Sequence, residues 1–216
     1  MPDQQVRPYR SVDRLAVFRI AADTAFFGEP VEAFLEDRSL FCDFFYAYYT
    51  DLEPEYGWVA CVGEDVVGFL MGSIDTRARP RRWLRGIFPQ VIQRLARGGY
   101  RIGRATLRYG LRQVQGELRR EGLSVDVGTY PAHLHLNVAA GWRGRGLGRQ
   151  LLDVHLEQMR ALGIPGVHLS TTSANTAACR LYERSGFQLL SSCPTRLWQG
   201  LVPSPLEERI YGIRLV

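Results

Sequence analysis

Three glycines spaced two apart, in Arg143-Gly144-Arg145-Gly146-Leu147-Gly148, constrain this chain more than any other stretch. Before them, Ala132 to Val138 alternates His133, His135 and Asn137 with Leu134, Leu136 and Val138, the period-two pattern of a strand. After them, Leu147, Leu151, Val154 (or His155) and Met159 recur at helical spacing, ending near Gly163 and Pro165. The glycines therefore join a strand to a helix N-terminus and leave backbone N–H groups uncovered by side chains. Unpaired donors and the macrodipole favour an anion there. Arg143 and Arg145 add positive charge. The local expectation is a pyrophosphate cradle.

The glycines alone do not say what carries the pyrophosphate. Their spacing is not that of a nucleotide-hydrolysing P-loop, and the chain has no lysine to reach the phosphates. A dinucleotide fold wants its glycines after the first strand and an acidic residue about 20 positions later. Here they lie two-thirds of the way along, and the next strand, Val167 to Thr172, ends in Ser and Thr. A glycine turn that only caps a helix is the plainer alternative, so the decision rests on the motifs elsewhere in the chain.

A length of 216 residues suits one domain with an insertion and allows a sizeable core. No apolar run reaches the 18 residues of a membrane span, and the first residues lack the apolar core of a signal peptide. Cys42, Cys61, Cys179 and Cys193 are scattered without a C-x-x-C pair. That argues against a metal site and for a reducing, cytoplasmic compartment. The net charge of +5 hides two opposed segments. Glu29 to Glu55 holds eight acidic residues and one Arg, whereas Thr76 to Arg120 holds thirteen Arg and one Glu.

In chain order, Val6 to Tyr9 reads as a short strand, and Ser11 or Asp13 caps a helix running to about Ala25. A second helical stretch starts near Pro30 and continues through Phe41, Phe44, Phe45 and Tyr48. Ten of the 24 aromatic residues fall between Phe26 and Tyr56; most belong to a core, and one face is expected to line a cleft or an interface. Gly57–Val62 and Val66–Ile74 read as a hairpin. Helices are expected at about Gln90–Arg97 and Arg101–Arg120, the second with an apolar stripe of Leu107, Leu111, Val114 and Leu118. Such a basic amphipathic pair suits a membrane surface or nucleic acid, or is a solvated face balanced by the acidic segment. It lacks the interleaved aromatics of a single-strand binder. Thr172 to Asn175 then caps a helix that stops at Gly186, followed by strands at Phe187–Leu190 and Arg209–Val216 around a turn marked by Pro203 and Pro205.

A hairpin, a strand, R-x-x-G-x-G (Arg143, Gly146, Gly148), a helix, a strand, and N-x-x-A-x-x-x-Y-x-x-x-G-F (Asn175, Ala178, Tyr182, Gly186, Phe187) resemble the GNAT superfamily of acyl-CoA N-acyltransferases. Both motifs stand in order on their expected elements. The insertion and the strand Tyr130-Pro131-Ala132-His133-Leu134-His135 also resemble the acetyltransferase-like region of O-GlcNAcases, a subgroup with members that need not be active. The resemblance implies an α/β (α+β) fold. Its mixed twisted sheet is splayed into a V beside the central strand, with helices on both faces. One domain over 1–216 carries the Arg-rich helical insertion at about 76–128.

It further implies acetyl-CoA as co-substrate and an amine acceptor on a small molecule or peptide; no metal is expected from the cysteine spacing, and nucleic acid is not the expected partner. Backbone groups of Asn137 and Val138 would pair with the pantetheine arm, and the amides of Arg143, Gly144, Arg145, Gly146, Leu147 and Gly148 would hold the pyrophosphate. The side chain of Arg143 or Arg145 would reach phosphate oxygens, and Asn175 would anchor the arm from the other side. Tyr182 would protonate the departing thiolate, and the Val138 N–H would stabilise the oxyanion. No Glu stands on the strand before the turn. His135 and His133, ordinarily titrating near ~6.5, are the candidate bases. A β-bulge would turn them away and Leu134 inward; Asp126 or a water-mediated route is the fallback. The acidic, aromatic segment suits a cationic acceptor, and the arginine segment an anionic one. A CoA-binding pseudoenzyme and a nucleic-acid or membrane-surface adaptor are the rival functions.

Overall fold

Among the described residues the alternating runs form a seven-stranded sheet in the order β1-β2-β3-β4-β5-β7-β6. These are β1 (Gln4–Pro8), β2 (Gly57–Val62), β3 (Asp65–Ser73), β4 (Ala132–Val138), β5 (Gly166–Thr172), β6 (Gln188–Pro194) and β7 (Glu207–Arg214). Helices are α1 (Arg14–Asp23), α2 (Arg38–Phe45), α3 (Ala47–Asp51), α4 (Arg79–Gly86), α5 (Phe88–Ala96), α6 (Arg104–Leu118), α7 (Leu147–Ala161) and α8 (Thr176–Arg184). This computed structural model describes residues 4–118, 123–202 and 205–216. Arg119, Arg120, Pro203 and the side chain of Leu118 lie outside the described residues.

Period-two alternation divides the core between the two faces of the sheet. Phe69 and Met71 of β3 face the N-terminal helices, with Val17, Ile20, Phe41, Tyr46 and Tyr49. Leu70, between them, faces α7 and α8 with Leu134, Leu151, Leu156, Met159 and Tyr182. Burying each such side chain stabilises the fold by about 1.5–3 kcal/mol.

His155 of α7 lies in that second layer, fully buried, and neither ring nitrogen has a hydrogen-bond partner among the described residues. A Cβ on Gly72 of β3 would overlap its ring, so the glycine makes room for it. Burial pushes the imidazole down to about 3. Removing an unsatisfied buried polar group is stabilising by about 1–3 kcal/mol. His155→Leu is therefore expected to raise the melting temperature by several degrees, at about 2–4 °C per kcal/mol for a chain this size. A calorimetric scan showing a lower melting temperature would contradict that account of the site.

The aromatic segment read as one helix from Pro30 is broken into a 3-10 turn at Val31–Ala33, then α2 and α3. The break comes from Asp37, whose carboxylate caps α2 at the Leu40 amide (2.9 Å) and also accepts from the Arg101 amide (2.9 Å). A further helix, α4, precedes the two that the sequence predicts; Pro80 opens it rather than breaking it, since a first-turn proline gives up no bond. The opposed charges of the two segments meet: Arg82 pairs with Glu53 and Arg94 with Asp43, each at 2.7 Å. In both pairs the arginine is half-exposed, while Glu53 is buried and Asp43 largely so, and the pairs orient the insertion on the N-terminal segment.

Glu36 holds α6 by its N-terminus, accepting from the amides of Ala105 (2.7 Å) and Thr106 (2.9 Å) and from the Thr106 hydroxyl. That clamp sets the orientation of α6. Leu107, Leu111 and Val114 are 64%, 58% and 56% exposed, so the apolar stripe faces outward. The inward residue is Tyr109, against Phe34 and Trp198. No helix among the described residues is long and apolar enough to cross a membrane.

Candidate active site

Among the described residues, β4 and β5 are the one pair of strands that run parallel, and they pair only at Ala132–Val167 and His133–His168. Beyond those positions they diverge, and a cleft of about 810 Å³ opens between them. Leu134 to Asn137 line one wall, and Ser170 to Thr172, Asn175 and Tyr182 the other. Across the mouth stand Tyr109 and Arg112 of α6 and the segment from Thr195 to Gln199.

Pairing of β3 with β4 is regular from Gly68–Val138 to Ser73–His133, with no bulge. His133, His135 and Asn137 therefore share the face toward the N-terminal helices. The Ala139 amide donates to the Val67 carbonyl (2.9 Å), which makes 139–67 and 137–69 the bonded pairs. Main-chain groups of Asn137 thus point to β3, while those of Leu136 and Val138 point into the splay. This corrects the assignment of the Asn137 backbone to a pantetheine arm: Leu136 and the Val138 N–H offer the open edge, the Val138 carbonyl being taken by Arg143 (3.0 Å). The Asn137 side chain instead donates to Thr24 Oγ1 (2.6 Å) and accepts from the Tyr46 hydroxyl (3.4 Å).

Gly144 and Gly146 adopt φ of +75° and +83°, where a side chain is strained, and Gly146 is the N-cap of α7. No protein acceptor is bonded to the amides of residues 144–149 among the described residues. Gly148 serves close packing instead: a Cβ there would lie 3.2 Å from Leu181 Cδ2 and 3.5 Å from Leu136 Cδ2. Leu147 anchors the turn by full burial. Neither arginine of the turn is disposed as expected. Arg143 donates to the carbonyls of Val138 and Gly28, at 3.0 Å each, and tethers the turn to β4. Arg145 lies over the Trp142 ring at 4.4 Å. An anion there would be met by amides and the helix terminus first.

On the opposite wall, Asn175 lines the cleft and caps α8 by accepting from the Ala178 amide (3.3 Å). Tyr182 is 6% exposed, packs against Phe187 and Tyr211, and its hydroxyl has no hydrogen-bond partner among the described residues. Burial raises its pKa far above the ordinary phenol, so it stays protonated. Cys179 is buried beside it, with Sγ 3.6 Å from the Thr172 carbonyl.

The imidazoles do not titrate near neutrality as expected of free histidines. Tyr49 Oη lies 3.1 Å from His135 Nε2 and 3.4 Å from His133 Nδ1, and accepts from Arg79 Nη1 at 2.5 Å. Burial and then the Arg79 charge push His135 down to about 3. Burial, His135 and Arg79 push His133 well below its usual range. Asp126, the fallback base, is spent in a turn, accepting from the Gly128 amide (2.9 Å) and Thr129 hydroxyl (2.6 Å). Arg79 and Tyr49 are the residues sequence reading missed.

All four histidines have lowered pKa values. Each is neutral in the fold and binds a proton near ~6.5 when unfolded, so stability is full above that pH and is lost as pH falls toward about 3. Melting temperatures taken from pH 7.5 down to 4.5 are expected to decline steadily, and less so in His135→Gln. A flat profile would contradict the buried, neutral assignment.

Comparisons with known proteins agree with this geometry. The acetyltransferase (GNAT) family matches residues 96–187. The solved structure of SsHAT is 30% identical over 100% of both chains, with a TM-score of 0.75. The structure of yncA from Salmonella typhimurium, solved with its cofactor acetyl-CoA, shares the fold at 16% identity and a TM-score of 0.57, over 99% of this chain and 94% of that one. Mycothiol acetyltransferase of Propionibacterium freudenreichii is 39% identical over 57 residues, 26% of this chain. The match spans only 18% of that relative's length. With the splayed β4–β5 pair, the glycine turn and the full-length likeness together, the chain belongs to the GNAT family of acetyltransferases.

Proposed function

We propose that the protein is an acetyl-CoA-dependent N-acetyltransferase that moves the acetyl group directly to an amine in a ternary complex. The observation that carries this reading is the splay: an edge of β4 left open at Leu136 and the Val138 N–H runs straight into a turn of unpaired amides. Main-chain groups of an extended pantetheine arm match the first, and a pyrophosphate the second. Acetyl-CoA supplies the activated thioester; the chain's own groups bind, orient and move protons. The new bond joins the amine nitrogen to the acetyl carbonyl carbon, the carbon–sulfur bond breaks, and the Tyr182 hydroxyl gives its proton to the departing sulfur. The Val138 N–H, turned into the splay, is placed for the oxyanion.

Removal of the amine's proton is the demanding step. His135 at about 3 facing an amine near ~8 is short by on the order of 7 kcal/mol, at about 1.4 kcal/mol per pKa unit. Unless that charge environment changes on binding, His135 orients the amine and the proton leaves to water. The same depressed imidazole favours a second reading, a CoA-binding protein without turnover. Thiol release from acetyl-CoA across a panel of amines, beside thermal shift with acetyl-CoA, separates the two. Binding with amine-dependent thiol release is expected. Binding without release from any acceptor would leave the second reading standing, and absence of binding would sink both.

A further inference from the structure

The acidic and arginine-rich segments point the acceptor in opposite directions, and the cleft decides between them. The acids of the N-terminal segment nearest the insertion are engaged outside the cleft: Glu36 on α6, Asp37 on α2 and Arg101, Asp43 on Arg94, Asp51 on Arg14, Glu53 on Arg82 and Tyr48. None of them lines the cleft. Arg79 does, and so does Arg112. The Arg79 guanidinium makes one hydrogen bond, to Tyr49, and has no carboxylate partner among the described residues. It is a cation set against neutral imidazoles. Such an arrangement is electrostatically incomplete, and a carboxylate is what a planar guanidinium completes best, by two parallel bonds.

Position separates this cation from the cofactor's phosphates. Arg79 sits by His133 and His135, whereas the glycine turn begins beyond Val138, about 10 Å further along the strand at ~3.3 Å per residue. Arg79 and His135 also share one hydroxyl, at 2.5 and 3.1 Å. A group bound to the first is within one small molecule's reach of the second. The mouth is narrowed by Arg112 Nη1 on the Leu197 carbonyl (3.3 Å) and by Tyr109 against Trp198. That favours a small acceptor over the surface of a folded protein.

We propose that the acceptor carries a carboxylate next to its reacting amine, as a free α-amino acid does, and that Arg79 binds that carboxylate. This rests on the acetyl-transfer reading above and names its substrate class. It also answers the difficulty with His135. A carboxylate on Arg79 offsets the charge that, after burial, holds the imidazole down, so the base gains strength only when the right acceptor is bound.

The test compares phenylalanine, leucine and glutamine with their carboxamides as acceptors, by thiol release from acetyl-CoA. A carboxamide's amine is the less basic and so more often unprotonated at neutral pH; without a role for Arg79 it should react faster. The expected result is the reverse, a preference for the acids of about tenfold or more in kcat/KM. Arg79→Gln should erase it, Arg79→Lys should restore part, and the affinity for acetyl-CoA should stay the same in both. Equal reaction of acids and amides, or a preference that survives Arg79→Gln, would overturn the assignment while acetyl transfer stands. If no acceptor turns over, calorimetric binding of the same amino acids in the presence of CoA decides. Binding lost in Arg79→Gln and kept in Arg79→Lys supports the site, and no binding to the parent refutes it.

Discussion

Tyr182→Phe is expected to lower kcat by about 10²–10⁴-fold, the usual range for losing a positioned acid, with little change in KM for acetyl-CoA. The hydroxyl is the only atom removed. It has no protein partner among the described residues, so the fold loses no bond, and the ring keeps its contacts with Phe187 and Tyr211. A phenol held protonated by burial has little to do in the ground state and a proton to give as sulfur departs. The predicted signature is therefore a fall in kcat that carries kcat/KM down with it. Steady-state kinetics with acetyl-CoA varied at fixed amine reads this out. An unchanged kcat, or a rise in KM alone, would remove Tyr182 from the chemistry.

Gly148→Val should damage both the fold and the binding of acetyl-CoA. The site sits in the first turn of α7, at the floor of the splay, between Leu181 of α8 and Leu136 of β4. One methyl at 3.2 Å from Leu181 asks that half-buried side chain to give by a few tenths of an ångström, so Gly148→Ala is near neutral. Two further methyls have nowhere to go except into Leu136, Val138 or the cleft. Overpacking of this kind costs about 1–3 kcal/mol, or about 2–12 °C in melting temperature. Affinity for acetyl-CoA should fall about tenfold or more, about 1.4 kcal/mol. Valine tolerated with parental affinity would mean that the arm does not pass over this floor.

The parts of the site that lie close together in sequence were legible in it. β4 has its expected bounds, and α7 and α8 begin at the glycine turn and at Asn175, because alternation, positive-φ glycines and side-chain caps are local signals. What was illegible depends on contacts across the chain. Thirteen arginines between Thr76 and Arg120 look alike in sequence, and only the fold brings Arg79 to Tyr49, 30 positions away, and through it to His135. Pro80 could have announced α4, since a proline in the first turn is a start signal, and Asp75 closes the turn just before the helix by accepting from the Ala78 amide (3.0 Å). The outward stripe of α6 could not have been read, because its orientation is set by Glu36 from another segment. The disposition of Arg143 obeys the same logic: its carbonyl partner on Gly28 is 115 residues distant.

The central claim is that the glycine turn and the free edge of β4 together hold acetyl-CoA. Titrating acetyl-CoA into ¹⁵N-labelled protein and following the amides of Val138, Gly144, Arg145, Gly146 and Leu147 tests it most directly. The account predicts that these resonances move together, saturate at one equivalent, and move downfield at the turn as the amides take up phosphate oxygens. Saturable shifts elsewhere with these five unmoved would contradict it.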